Sequence, residues 1–153
     1  MNRGIDYFGL FLRIFLGCVF AYSGYTKLME PIAQTEAAIV QYEVIPYVFV
    51  PWIARIFPWI EMILGCFLLL GYAVRLSALG VSGLSTGFIG LILLNYMMTG
   101  KMLEDCGCFG EGSFIHFSAA QILVVDLISL IFALFLVLRK KHILSLDGIL
   151  LKN

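Results

Sequence analysis

The chain has 153 residues, of which 61% are hydrophobic and 13% charged, and its formal net charge is zero. Soluble domains carry about a quarter charged residues, so this composition leaves too little polar surface to cover a globule in water. The neutral charge balance also removes any bulk electrostatic argument for a nucleic-acid partner. The length fits one domain, so residues 1–153 are predicted to form a single membrane-embedded unit in a lipid bilayer.

Four apolar segments are long enough to cross the hydrocarbon core, which takes about 20 helical residues. We therefore predict an all-α fold, a polytopic bundle of four transmembrane helices at about residues 7–27, 52–74, 76–98 and 117–138. The third segment carries no charge between Leu76 and Met98. Pro58 lies in the second segment, where it either kinks the helix or opens it.

The connection between the first two predicted spans has its own helical pattern. Pro31 can open a short helix, and four apolar residues fall on one face of it: Ala33, Ala37, Val40 and Val44. We predict a short amphipathic helix that lies at the membrane surface. Nearby aromatic residues are expected to form an interfacial belt; they are Tyr42, Tyr47, Trp52 and Trp59.

Small residues recur at helical spacing in two of the spans. Gly80, Gly83, Gly87 and Gly90 share one face of the third span, and Gly17, Ala21 and Gly24 share a face of the first. Small residues let helix backbones approach closely in lipid, so we predict a compact bundle. A homo-oligomer that uses the same glycines is the alternative.

The distribution of lysine and arginine predicts the orientation in the membrane, because cytoplasmic segments carry more of them. Six lie at the termini and in the second connection, namely Arg3, Arg75, Arg139, Lys140, Lys141 and Lys152. Three lie on the other side, namely Lys27, Arg55 and Lys101. Both termini are therefore expected in the cytoplasm of a bacterium, with the chain in its inner membrane and the first and third connections outside.

The third connection contains two cysteines one residue apart, Cys106 and Cys108, separated by Gly107. The outer side of a bacterial inner membrane is oxidising, and paired thiols there tend to form disulfides. A disulfide between these two residues would close a very small ring, and strained, exposed disulfides are the reducible kind. This pattern favours thiol–disulfide exchange, with Cys106 and Cys108 as the catalytic pair.

Two other interpretations of the cysteine pair remain open. The pair could bind a soft metal such as Cu(I), Hg(II) or Zn(II), with His116 as a third ligand. It could also be a static staple, although so short a ring removes little entropy from the unfolded chain. The other cysteines, Cys18 and Cys66, lie amid apolar residues of two spans, and packing is the role predicted for them.

Charged residues inside the predicted spans are costly in lipid unless they are paired and turned inward. The helix positions predict a polar cluster in the bundle, formed by Arg13, Lys27, Glu61 and Asp126. Lys27, near the outer end of the first span, is expected to reach Glu61. Such ion pairs can fix the register of the helices or take part in the chemistry of the protein.

These residues together resemble a known family. The pattern comprises Arg13, Gly17, Ser23-Gly24, Lys27-Leu28, Tyr42, Pro46, Pro58, Glu61, Gly65, Cys106-Gly107-Cys108-Phe109-Gly110 and Asp126. It is similar to the MauE branch of the DoxX-like membrane proteins, over nearly the whole chain. The resemblance implies a four-helix bundle linked to redox chemistry, and a thioredoxin-like partner. In MauE itself the target of that partner is methylamine dehydrogenase, and this pathway is not carried over to the present chain. It carries over Cys106 and Cys108 as the redox site, and Arg13, Lys27 and Glu61 as family-pattern residues of unassigned role.

The resemblance also raises the question of a cofactor. The DsbB and vitamin K epoxide reductase types of enzyme generate disulfides with two cysteine pairs and a quinone, whereas this chain has one such pair. Either a partner supplies the second pair, or the protein does not generate disulfides from quinone. A quinone site in the bundle is a weaker hypothesis that rests on the charged cluster and on the many Phe and Tyr residues.

Overall fold

The computed structural model describes residues 3–100 and 119–139, and this part of the chain forms five helices and no strand. They are α1 (Arg3–Met29), α2 (Ile32–Val40), α3 (Val50–Leu70), α4 (Val74–Thr99) and α5 (Ala119–Leu138). Four of them are long and apolar enough to cross a membrane: Asp6–Met29, Val50–Leu70, Val74–Thr99 and Gln121–Leu138. The predicted all-α membrane bundle is therefore confirmed.

The four long helices run alternately up and down. Asp6 at the start of α1 contacts Arg139 just after α5, whereas Lys27 near the end of α1 contacts Glu61 of α3. The helices pack as two close pairs, α1 with α3 and α4 with α5, with sparser contact between the pairs. The short helix α2 lies at one end of the bundle, which we call the α2 end. The end of α4 and the start of α5 lie at this same end.

The bounds of α3 follow from proline and glycine. Pro51 occupies the first turn, where its missing N–H is not needed, and Pro58 lies inside the helix rather than opening it. At the other end, Gly71 adopts a left-handed conformation with φ 71°. The N–H groups of Gly71 and Tyr72 donate to the carbonyls of Leu68 and Phe67, which closes the helix in a Schellman motif. The predicted span to residue 74 was too long for this reason.

The small residues have different roles in the two predicted glycine faces. A Cβ at Gly24 would lie 2.6 Å from the backbone nitrogen of Met62, and one at Gly65 would collide with the backbone of Ala21. The close approach predicted for the first span is therefore present between α1 and α3. On α4 only Gly80 meets a neighbour, the side chain of Leu64. Gly83, Gly87 and Gly90 have no described atom within 4 Å, so the prediction that they pack within the bundle was wrong.

The predicted helix in the first connection is present as α2, and it packs mainly against α3. Its buried residue is Ala38, whereas Ala33, Ala37 and Val40 of the predicted apolar face are exposed. The predicted apolar face of α2 is therefore not the face that packs on the bundle. Tyr42 was wrongly placed in the aromatic belt, because it is only 4% exposed and packs with Ile92 and Ile122. The exposed aromatic residues are Tyr47, Trp52 and Trp59.

The larger apolar core lies away from α2, toward the opposite end of the bundle. All four long helices contribute to it: Leu16, Phe20, Leu68, Val74, Ala78, Val81, Ala133 and Leu136. Seven of these eight residues, all but Phe20, have no exposed surface, so this half is closely packed. The buried charges and the cavities described below lie in the other half.

Candidate functional site

The predicted redox pair, Cys106 and Cys108, falls outside the described residues, as does His116. All three residues belong to the connection between α4, which ends at Thr99, and α5, which begins at Ala119. Both of those helix ends lie at the α2 end of the bundle. The described part of the site is therefore the set of polar residues in the bundle near this end.

The strongest polar contact in the bundle is the ion pair between Lys27 of α1 and Glu61 of α3. The Lys27 Nζ atom lies 2.9 Å from Glu61 Oε1 and 2.7 Å from Glu61 Oε2. Lys27 is 7% exposed and Glu61 only 2% exposed. The contact predicted from the helix positions is thus confirmed, and it compensates two charges that would be very unfavourable alone.

Ser23 completes the coordination of Glu61, donating a hydrogen bond from its hydroxyl to Oε2 at 3.2 Å. Ser23 and Lys27 are four residues apart on α1, so they project from the same face of the helix. Gly24, between them, allows α1 to approach the α3 backbone beside Pro58. The Ser23-Gly24 and Lys27 pattern therefore has a physical basis. The serine was missed as a cluster member, although its spacing to Lys27 was a usable signal.

Asp126 of α5 faces the same small space as Glu61. A cavity of about 30 Å³ lies between the helix pairs, and its polar wall consists of Ser23, Glu61, Asp126 and Ser129. We call it the carboxylate cavity. Asp126 is 9% exposed. The volume exceeds the roughly 10–15 Å³ that one water molecule needs, so a water could bridge the two carboxylates.

Arg13 lies far from Lys27 along α1. It is 14 positions before Lys27 on α1, which is about 21 Å along the helix axis at a rise of about 1.5 Å per residue. It is buried, at 5% exposed, but it does not line the carboxylate cavity. The structure therefore brings together Lys27, Glu61 and Asp126 around Ser23, and it places Arg13 in the other half of the bundle.

A second, larger cavity lies under α2, and we call it the α2 cavity. Its volume is about 160 Å³, and its walls are mostly apolar. The lining includes Thr35, Ala38, Tyr42, Phe57, Phe88 and Leu91. Lys27 also lines it, with its Nζ atom 5.6 Å from the centre of the Phe88 ring. The ion pair thus lies between the two cavities, with Lys27 at one and Glu61 at the other.

The sequence was compared with models of known protein families, with curated proteins and with solved structures. The family described as Methylamine utilisation protein MauE matches residues 5–139, which is most of the chain and includes every residue of the cluster. The chain belongs to the MauE family. No curated protein and no solved structure gave a match. The chain is thus a multi-pass membrane protein of a family associated with methylamine utilisation, and the broader DoxX-like relationship stays a prediction.

The described part of this MauE-family chain has no group of three or more His, Cys, Asp or Glu residues that could hold a metal ion. Its two cysteines, Cys18 and Cys66, are both free. Cys66 is half-buried, whereas Cys18 lies on an exposed face of α1, so packing explains Cys66 better than Cys18. Neither cysteine lines the carboxylate cavity or the α2 cavity.

Proposed function

We propose that this MauE-family protein exchanges thiols and disulfides with a thioredoxin-like partner outside the cytoplasmic membrane, through Cys106 and Cys108. The observation that carries the proposal is the Cys106-Gly107-Cys108 run in the connection between α4 and α5. Two thiols one residue apart can pass between the reduced form and a strained disulfide. The resemblance in sequence supports a redox role, because this run is its most specific part.

The exchange proceeds through a mixed disulfide. A thiolate of one protein attacks a disulfide sulfur of the other, one S–S bond forms, and the displaced sulfur leaves as a thiolate. The second cysteine of the protein that made the first attack then attacks the mixed disulfide, so that this protein ends with a disulfide and the other leaves with both of its cysteines reduced. Each complete exchange passes two electrons, and the oxidised and reduced proteins trade states. Either direction of flow satisfies this scheme.

The proposed location is the bacterial inner membrane, with both termini in the cytoplasm and the cysteine connection outside. The six-to-three bias of basic residues supports this orientation. So does the chemistry, because disulfides persist on the outer side and are reduced in the cytoplasm. The proposed role of the bundle is to hold the cysteine connection at the membrane surface, beside the end where α2 lies.

Trapping the mixed disulfide tests the proposal. Cys106→Ser and Cys108→Ser are expressed singly in a Cys18→Ser/Cys66→Ser background, so that no other thiol of the chain can react. Membranes are acid-quenched, alkylated and run on non-reducing gels. One single variant should accumulate a dithiothreitol-sensitive adduct with a thioredoxin-like protein, and the variant lacking both cysteines should give none. The absence of any adduct from both single variants would contradict the exchange.

The second candidate is a non-enzymatic membrane subunit or soft-metal carrier that uses the same cysteines. The observation in its favour is the histidine at position 116, eight residues after Cys108, which adds a third ligand of the right chemistry. The same alkylation assay separates the candidates. A mixed oxidised and reduced population that responds to added dithiol supports exchange. Thiols that stay reduced, and that react only after a chelator is added, support the carrier.

A further inference from the structure

The α2 cavity is large enough to hold a small molecule. Its volume of about 160 Å³ is close to that of an engineered apolar cavity of about 150 Å³ that binds benzene. Phe57 and Phe88 meet edge to face at 5.1 Å between ring centres in its wall, and Tyr42 closes it from the side of α2. A six-membered ring therefore fits the space between these walls.

Lys27 supplies a directional contact in this otherwise apolar space. An ammonium group has three N–H donors, and Glu61 accepts two of those of Lys27. No other acceptor for Lys27 is present in the described residues, so the third donor is available to a molecule in the cavity that Lys27 lines. The ligand therefore carries an acceptor oxygen.

The charge balance restricts the ligand further. Glu61 already neutralises Lys27 at 2.7 Å, and Asp126 lines the carboxylate cavity but not the α2 cavity, so no unpaired charge lines the α2 cavity. An anionic ligand would leave a buried excess of negative charge, and a cationic ligand would lack a counter-ion, and both are strongly unfavourable at this depth. A neutral acceptor adds a charge-assisted hydrogen bond without this penalty. Apolar walls favour a molecule that reaches the cavity from the lipid.

We propose that the α2 cavity binds the ring of a neutral, lipid-soluble carbonyl compound, the quinone class, with a carbonyl oxygen accepting a hydrogen bond from Lys27 Nζ. The ring lies against Phe57 and Phe88, and α2 covers it. The site is independent of the cysteines, so its failure and the failure of the thiol exchange are distinguishable. It adds a binding function to a bundle whose proposed role is otherwise that of a scaffold.

A matched pair of ligands tests the hydrogen bond. Duroquinone and durene share a tetramethylated six-membered ring and differ in the two carbonyl oxygens, and full substitution prevents duroquinone from adding thiols. Equilibrium dialysis against the full-length protein in detergent measures both dissociation constants. Duroquinone should bind about tenfold more tightly or better, as expected for a hydrogen bond to a charged group. Equal affinities, as an acyl-chain site would give, overturn the proposal.

Variants of the chain locate the site. Ala38→Phe fills the cavity and should weaken duroquinone binding by tenfold or more, whereas Ala37→Phe, on the exposed face of α2, should leave it unchanged. Lys27→Met/Glu61→Met keeps the site neutral and removes the donor. It should lower duroquinone affinity to that of durene and leave durene binding as it was. Unchanged duroquinone affinity in the double variant, or equal effects of the two phenylalanines, overturns the proposal. The double variant keeps the test decisive if Ala38→Phe does not fold.

Discussion

Within residues 3–100 and 119–139, two ion pairs connect α1 to its neighbours, one in each half of the bundle, and they differ in burial. The side chains of Lys27 and Glu61 are 5% and 2% exposed, whereas those of Arg139 and Asp6 are 18% and 20% exposed. Both have a shortest contact of 2.6–2.7 Å, so distance does not separate them. Burial determines what each pair contributes, because removing one partner of a buried pair leaves an uncompensated charge.

The surroundings of the two ion pairs also differ. Arg139 stacks over the ring of Phe135 at 5.7 Å, at the edge of the closely packed apolar core. Lys27 and Glu61 lie between two cavities and share a serine ligand. A pair that served only to align helices would need neither the cavities nor the serine. The Arg139 pair connects α1 to the end of α5, and the surroundings of the Lys27 pair are compatible with the binding site proposed at the α2 cavity.

The largest expected effect comes from breaking the buried pair. Glu61→Met alone should lower the free energy of unfolding by about 3–5 kcal/mol, because Lys27 is left charged and unpaired. Lys27→Met/Glu61→Met should recover most of this loss, because replacing a whole buried pair by apolar residues is often neutral or stabilising. Unfolding in detergent by denaturant titration measures both. A double variant as unstable as the single one would show that the pair itself holds the bundle together.

An intermediate effect is expected at the α1–α3 contact. Gly65→Ala places a Cβ against the α1 backbone, and overpacking of this kind costs about 1–3 kcal/mol. Gly83→Ala is the matched control, since no described atom lies within 4 Å and alanine favours a helix by up to about 1 kcal/mol. Thermal unfolding of the two variants gives the comparison. Similar losses at both positions would mean that a further contact covers the Gly83 face.

The smallest effect is expected at the more exposed pair. Arg139→Gln should lower the free energy of unfolding by about 0–1 kcal/mol, since partly exposed ion pairs contribute little. The difference between this variant and the wild type should shrink in high salt, which screens exposed charges. Denaturant titration at low and high salt measures it. If Arg139→Gln lowered the free energy of unfolding as much as Glu61→Met does, the two ion pairs would not differ in their contribution to stability.

The sequence predicted the four spans, the short helix in the first connection and the Lys27–Glu61 contact. Hydropathy and helical periodicity are sufficient for these features, because each depends on residues close in the chain or on helix position alone. The error at the end of α3 was avoidable, since Gly71 is a common helix-ending residue. The roles of Cys106 and Cys108 stay predictions, because they depend on reaction partners.

Other features could not be predicted from a single sequence, because they depend on how the helices pack. Tyr42 and Trp52 are both amphipathic aromatic residues near a helix end, and only the packing of α2 decides that the first is buried. The glycines of α4 have the same spacing whether the facing surface is a neighbouring helix or lipid. Arg13 was grouped with the other charges because its side chain is long, but the register of α1 against α3 separates it from Glu61.

The three-residue turn at 71–73 has a mechanical consequence. It joins the α1–α3 pair to the α4–α5 pair, and the Asp6–Arg139 contact fastens the two pairs at the same end. The closely packed core lies there as well. We therefore expect any relative motion of the two pairs to be smallest at that end and largest near α2, where the carboxylate cavity lies between them. Such motion would change the separation of Glu61 and Asp126, because the two carboxylates lie on different helix pairs and line the same cavity.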